Sequence, residues 1–268
     1  MFGAVFACCA TRTHASIAAI PHGTVQLIAE NPSIAPGHTV SLGLQFRLEP
    51  GWHIYWINPG DSGEPPRVKW HLPAGVTAGA IAWPTPKRLG TATIVDYGYD
   101  DAVTLLVPIH AAAHLPAQQA AELAAEVNVL VCREMCIPGK AQVSLILPIQ
   151  PKLVPPDAAA MGAFVATRRS LARAAPKNWR FRVAEESGSF VLTANVGWQI
   201  TQAVFFPLVP SQIDNAAEQK LVPAATGLQL TLRKSDQLLK PIERLKGVLV
   251  FSGDRAYLVD VPVGKAGA

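Results

Sequence analysis

Two cysteines separated by three residues, Cys132 and Cys136, have the type and spacing for thiol chemistry. Cys132 ends the apolar alternating run VNVLV, and Cys136 precedes Ile137-Pro138-Gly139 and another alternating run, so Arg133, Glu134 and Met135 are predicted to form a tight connection. The two cysteines would then oppose each other across a hairpin neck. Directly opposed residues of an antiparallel pair have Cα atoms roughly 4.5 to 5.5 Å apart, within the range a disulfide accepts. A ring this small, of about five residues, restricts the unfolded chain by only about 2 kcal/mol, which is weak support for a purely structural purpose. A short-loop bridge at a turn is open to an attacking thiolate and belongs with the labile, exchanging disulfides. Two other readings stay open at this point: an inert structural bridge, or half of a metal site. Zinc asks for three or four ligands, and His53, His71, His110 and His114 could approach only through the fold; copper(I) would accept the two thiolates alone.

Two further groups lie elsewhere in the chain. The segment GWHIYWINPGDSGEPPRVKW, residues 51–70, concentrates Trp52, Tyr55, Trp56 and Trp70. It is read as sandwich packing or as a partner-docking surface around Trp52, Tyr55 and Trp56. Tyr97-Gly98-Tyr99, flanked by Asp96, Asp100 and Asp101, is read as a loop shielding the cysteines or as an acidic turn with packed tyrosines. A carboxylate beside a thiol disfavours the thiolate and slows adventitious attack.

The compartment decides how the cysteines are used. Residues 1–19 begin with a short apolar run, MFGAVFACCA, with small residues and a cleavage point after Ala15; they are read as a secretory leader, although one without a basic n-region. Removing it removes Cys8 and Cys9 and leaves one pair, which in an oxidising compartment forms a disulfide at least part of the time. No stretch reaches the eighteen or more apolar residues of a membrane span. The net charge of +4 is scattered over 268 residues, which argues against a nucleic-acid partner.

The elements that must position the pair are strands. Only 16% of residues are charged, and 23 prolines and 20 glycines punctuate the chain, as many short strands require. Period-two alternation marks Val40 to Leu48, Val103 to Ile109 and Val143 to Ile149. Turn signals fall at Asn31-Pro32, Pro36-Gly37, Pro50-Gly51, Asn58-Pro59-Gly60 and Pro138-Gly139, the spacing of a β-sandwich. The Ala-rich stretch 117–126 reads as a loop or short helix. Residues 151–178 read as a linker with one helix, capped by Asp157 and carrying Met161, Phe164, Val165 and Leu171. Arg168, Arg169, Arg173, Lys177, Arg180 and Arg182 cluster there as a solvated face or a surface for an anionic partner. Hairpins are expected in FRVAEESGSFVLTANV and GVLVFSGDRAYLVDVPV, giving a second sandwich over 179–268. It lacks cysteine and histidine, so its role is read as positional. The fold expected is all-β, two immunoglobulin-like sandwiches (20–150 and 179–268) joined by the helical linker.

The block GWHIYWINPGDSGEPPRVKW, the following LPAGVTAGAIAWPTPKRLG, IVDYGYDD and VLVCREMCIPGKAQVSL resemble, in that order, the periplasmic N-terminal region of the DsbD and ScsB thiol-disulfide reductases. FFPLVP and the last hairpin resemble the second immunoglobulin-like domain of ScsB-type members. The three-residue cysteine spacing is shorter than in DsbD and closer to ScsB. The resemblance implies a periplasmic protein-disulfide reductase module whose pair, Cys132 and Cys136, takes electrons from a membrane-embedded and thioredoxin-like donor and reduces a periplasmic thioredoxin-like or disulfide-isomerase acceptor. It implies that Cys136 forms the mixed disulfide and Cys132 resolves it, with Asp96, Tyr97, Gly98 and Tyr99 nearest to the family's cap loop. Such chemistry needs no organic cofactor. Copper tolerance is part of what the ScsB-like reading implies.

Overall fold

The computed structural model describes residues 15–116, 119–156, 158–251 and 255–265. Residues 1–14 of the expected leader, the Asp157 cap and the Ser252-Gly253 turn lie outside them, whereas residues 17–19 of that leader are strand, paired with residues 24–26. The first half contains β1 (Ile17–Ile20), β2 (Gly23–Ala29), β3 (Thr39–Leu48), β4 (His53–Gly60), β5 (Arg67–His71), β6 (Val76–Ala78), β7 (Lys87–Gly90), β8 (Val95–Asp100), β9 (Ala102–Ala111), β10 (Ala120–Cys132) and β11 (Cys136–Pro148). Helix α1 (Ala158–Ser170) follows, then β12 (Arg173–Ala174), β13 (Arg180–Glu186), β14 (Ser189–Asn195), β15 (Ala203–Pro207), β16 (Lys220–Ala224), β17 (Gly227–Arg233), β18 (Arg244–Phe251) and β19 (Arg255–Lys265).

The first sandwich packs the sheet β1-β2-β3-β9-β6 against the sheet β11-β10-β4-β8-β7, with β5 added to β10. Alternation produces this directly. Leu42, Leu44 and Phe46 of β3, Leu105 and Val107 of β9, and Leu123, Val127 and Val131 of β10 all point into one core. In the second half, β19 pairs with β18 along one stretch and with β13 at its end, so a single strand joins two groups of strands around Trp179, Phe190, Phe205 and Leu249. The all-β expectation holds, with one helix among the described residues.

Three local expectations change. The Ala-rich stretch is strand from Ala120 onward, because residues 120–132 pair one for one with β11 and place Ala121, Leu123 and Ala125 inward, which outweighs alanine's helical propensity. Pro138-Gly139 is not a turn. It lies within β11, opposite Leu130 and Val129, and β11 is a sheet edge, where proline's missing N–H costs no ladder bond. Asn58-Pro59-Gly60 closes β4 as an irregularity rather than a turn, with Gly60 at φ 91° packed over the Val95 carbonyl.

Helix α1 buries Phe164 but leaves Met161 and Val165 exposed. Arg168 leaves the expected basic cluster to form a paired hydrogen bond with Glu30, and Ser41 accepts a third bond from it at 3.1 Å. The guanidinium holds the Glu30 carboxyl below its ordinary range.

The two sandwiches share apolar contacts. Phe206 and Val248 of the second half belong to the first core, and Phe206 meets the edges of Trp56 and Tyr97 at centroid distances of 6.3 and 5.3 Å. The buried Asn58 amide donates to the Pro207 carbonyl across this contact at 2.7 Å.

Candidate functional site

Cys132 and Cys136 are directly opposed where β10 turns into β11, and they form a disulfide with Cα atoms 4.1 Å apart. The turn of Arg133, Glu134 and Met135 closes on a backbone bond from Arg133 N to the Met135 carbonyl. The two sulfurs have unequal surroundings: Cys132 is 2% exposed, whereas Cys136 is exposed.

Cys132 also pairs with His53 of β4, and His53 with Asp100 of β8. Directly opposed residues share a face, so Cys132, His53 and Asp100 lie on one side of this sheet. Period two adds Tyr55 from β4 and Asp96 from β8 to that side, and sends Ile54, Trp56, Val95, Tyr97 and Tyr99 to the core side.

The group on the exposed sulfur is Tyr55. Its hydroxyl lies 3.3 Å from Cys136 Sγ and 3.4 Å from Ser62 Oγ. Ser62 donates its hydroxyl to the Asp96 carboxylate at 2.9 Å and its backbone N–H at 3.0 Å. Gly63 then covers the tyrosine ring: at φ 74°, a Cβ there would sit 2.0 Å from Tyr55 Cζ. Burial pushes the Tyr55 phenol up, opposed by the Ser62 hydrogen bond, and the nearby Asp96 charge pushes it further up. Tyr55 is therefore a neutral O–H, able to donate to a thiolate.

His53 packs edge-on to Tyr55 at a centroid distance of 5.3 Å. Its Nε2 is buried without a hydrogen-bond partner, 3.9 Å from Asp96 Oδ2. Burial lowers its pKa against the opposing pull of Asp96 and Asp100, so the imidazole is held toward its neutral form. Among the described residues, no group of three or more His, Cys, Asp or Glu converges to hold a metal.

The expected shielding loop is placed differently. Asp96, Tyr97, Gly98 and Tyr99 are strand β8, and of these only Asp96 reaches the site by its side chain, through Ser62. Tyr97 donates to Asn215 Oδ1 at 2.9 Å and Tyr99 to the Pro84 carbonyl at 2.7 Å, both buried on the core side. Gly98 faces Tyr55, where a Cβ would lie 2.2 Å from the Ile54 carbonyl oxygen. The expected docking surface is likewise covered. Trp52, Tyr55 and Trp56 are 8%, 0% and 1% exposed. Trp52 lies stacked on His22 at 3.7 Å and under the Arg133 guanidinium, and Trp56 joins the contact between sandwiches. Ser62 and Gly63 were not singled out from sequence, and His53 only as one histidine of several. The signal for His53 and Tyr55 was the parity of HIYWIN, which separates them from Ile54 and Trp56.

A cysteine pair bridged across a short hairpin neck on an immunoglobulin-like sandwich, one sulfur open and one enclosed, is an arrangement that fits a thiol-disulfide interchange domain. Residues 24–148 match the family model of the thiol:disulfide interchange protein DsbD, N-terminal, and that part of the chain is a DsbD-type N-terminal domain. The fold of nearly the whole chain is similar to the crystal structure of the N-terminal periplasmic domain of ScsB from Proteus mirabilis, with a TM-score of 0.68 and 18% identity over 91% of this chain and 94% of that one. No curated protein matches the sequence significantly.

Proposed function

We propose that the Cys132–Cys136 pair is redox-active and relays two electrons in the periplasm, from a membrane-embedded and thioredoxin-like donor to an oxidised thioredoxin-like or disulfide-isomerase acceptor. The carrying observation is the inequality of the two sulfurs, because exchange requires in-line access to one sulfur and a protected second thiol to complete it. A donor thiolate attacks Cys136 Sγ, the bond to Cys132 breaks, and Cys132 leaves as the thiolate. The donor's second thiol then attacks the mixed disulfide, leaving the donor oxidised and the pair reduced. In the forward half, Cys136 thiolate attacks the acceptor disulfide and expels one acceptor thiolate. Cys132 attacks Cys136 Sγ, which reforms the internal bond and frees the second acceptor thiol. Tyr55 is placed to donate its hydroxyl proton in a hydrogen bond to Cys136 whenever that sulfur carries charge.

The test is the equilibrium of the pair with glutathione or dithiothreitol buffers, read by trapping free thiols on peptides. A potential more oxidising than about −300 mV supports relay; a bond that yields only when the protein unfolds refutes it. A Cys132→Ser variant is expected to accumulate a mixed disulfide with a thioredoxin-like partner, and a Cys136→Ser variant is not.

A further inference from the structure

One side chain of the second half is hydrogen-bonded to the turn that covers the cysteine site. Asn215, 6% exposed in the connection between β15 and β16, donates from Nδ2 to Asp61 Oδ1 at 2.7 Å and accepts from the Tyr97 hydroxyl on Oδ1. Arg88 holds its backbone carbonyl at 2.6 Å. Asp61 begins the turn that covers Tyr55. It is fixed to β8 by Val95 N to Oδ2 at 2.8 Å and by its own N–H to the Val95 carbonyl at 3.0 Å. The next residue, Ser62, binds Asp96 and approaches the Tyr55 hydroxyl, and Gly63 lies on the Tyr55 ring. Hydrogen bonds and packing thus run without a gap from the second sandwich to Cys136 Sγ.

We infer that Asn215 is a positioning residue for thiol exchange, through which the second sandwich holds the 61–63 turn and keeps the Tyr55 hydroxyl on Cys136. The inference rests on the redox reading of the pair given above. Two arms leave the same amide, and only one of them leads to the site. The Nδ2 arm fixes Asp61 and the turn; the Oδ1 arm meets Tyr97, whose ring lies on the core side of the sheet. Loss of the first arm lets the turn move and weakens the donor on the thiolate, while loss of the second leaves the turn in place.

The test uses the full chain, reduced with dithiothreitol, and follows the pH midpoint of Cys136 alkylation by iodoacetamide with peptide-resolved mass spectrometry. Asn215→Ala is expected to raise the midpoint by about half a unit, part of the value of one hydrogen bond to a charged sulfur. Tyr97→Phe keeps the ring and is expected to leave the midpoint unchanged. The reciprocal variant Asp61→Asn/Asn215→Asp keeps the net charge and restores a hydrogen bond with donor and acceptor exchanged, so it is expected to return the midpoint to the wild-type value. An unshifted Asn215→Ala beside a shifted Tyr55→Phe overturns the inference and leaves the redox reading standing. A shift that the reciprocal variant does not reverse also overturns it, since the loss would then be one of packing. A pair that cannot be reduced in the folded protein overturns the redox reading instead.

Discussion

Replacing Tyr55 by phenylalanine removes one oxygen from the cysteine site and keeps the ring that Gly63 packs upon. In the disulfide form the Tyr55 hydroxyl lies 3.3 Å from Cys136 Sγ, and held there on reduction it would donate to the thiolate. A hydrogen bond to a charged group contributes roughly 1.5–3 kcal/mol when water does not compete. Cys136 is exposed and the hydroxyl also faces Ser62 at 3.4 Å, so a discount to about 1 kcal/mol is appropriate. At 1.36 kcal/mol per pKa unit, Tyr55→Phe should raise the pH midpoint of Cys136 alkylation by roughly 0.7 unit. The rate at neutral pH should fall less than fivefold, because a more basic thiolate is a better nucleophile with a Brønsted coefficient of about 0.4–0.5; the net loss is about twofold. The midpoint is therefore the decisive quantity, measured by iodoacetamide trapping from pH 5 to 10 with peptide resolution. A midpoint that stays or falls in Tyr55→Phe refutes the donor role and shows that the contact is packing alone.

Other outcomes follow from the same geometry. Gly63→Ala places a methyl 2.0 Å from Tyr55 Cζ at a backbone φ of 74°, so it should shift the alkylation midpoint upward like Tyr55→Phe and also lower the thermal midpoint; an unchanged midpoint would show that the turn does not hold the ring. Asn58→Ala strands the buried Pro207 carbonyl and should cost about 1–3 kcal/mol in denaturant unfolding, whereas a loss under 0.5 kcal/mol would mean that the sandwiches are not coupled there. Burial lowers the His53 pKa, so the unfolded chain takes up this proton first as pH falls. The contribution is present above the ordinary value of about 6.5 and is lost as pH drops from there toward the folded value. Thermal midpoints between pH 8 and 5 should decline more steeply in wild type than in His53→Gln, and equal slopes would exclude His53 as a source.

The strands that carry the core were legible because their alternation is strict: Leu42, Leu44 and Phe46 could only face one way. The cysteine neck was legible for the same reason, since VNVLV and the run after Gly139 set the register of β10 and β11. The tyrosines of β8 misled because clustered polarity (Asp96, Asp100, Asp101) looks like a loop, although the parity of VDYGYD already places tyrosines on one face and aspartates on the other. In the aromatic block the packing reading held and only the docking reading failed. Its residues have partners far along the chain, Phe206 for Trp56 and Arg133 for Trp52, and no local pattern reports a contact made by a second sandwich. Ser62 and Asn215 were invisible for that reason, as polar residues in connections whose value comes only from what the fold sets opposite them.

Strands β4 and β8 serve two surfaces at once. His53, Tyr55 and Asp96 face the cysteines, and Trp56 and Tyr97 on the reverse meet Phe206 of the second sandwich. Because side chains alternate with period two, a one-residue slip in either strand would exchange these sets, bringing tryptophan and tyrosine to the sulfur and burying histidine and aspartate in an apolar contact. Burying those polar groups unpaired would cost several kcal/mol, so the first core, with Phe206 of the second sandwich added to it, specifies the register that brings Tyr55 to Cys136. The irregularity between Tyr55 and Gly60 is where this register is adjusted, since it lets Gly60 oppose Asp96 while Tyr55 still opposes Gly98. The apolar contact on one face and the thiol chemistry on the other are therefore two consequences of a single pairing.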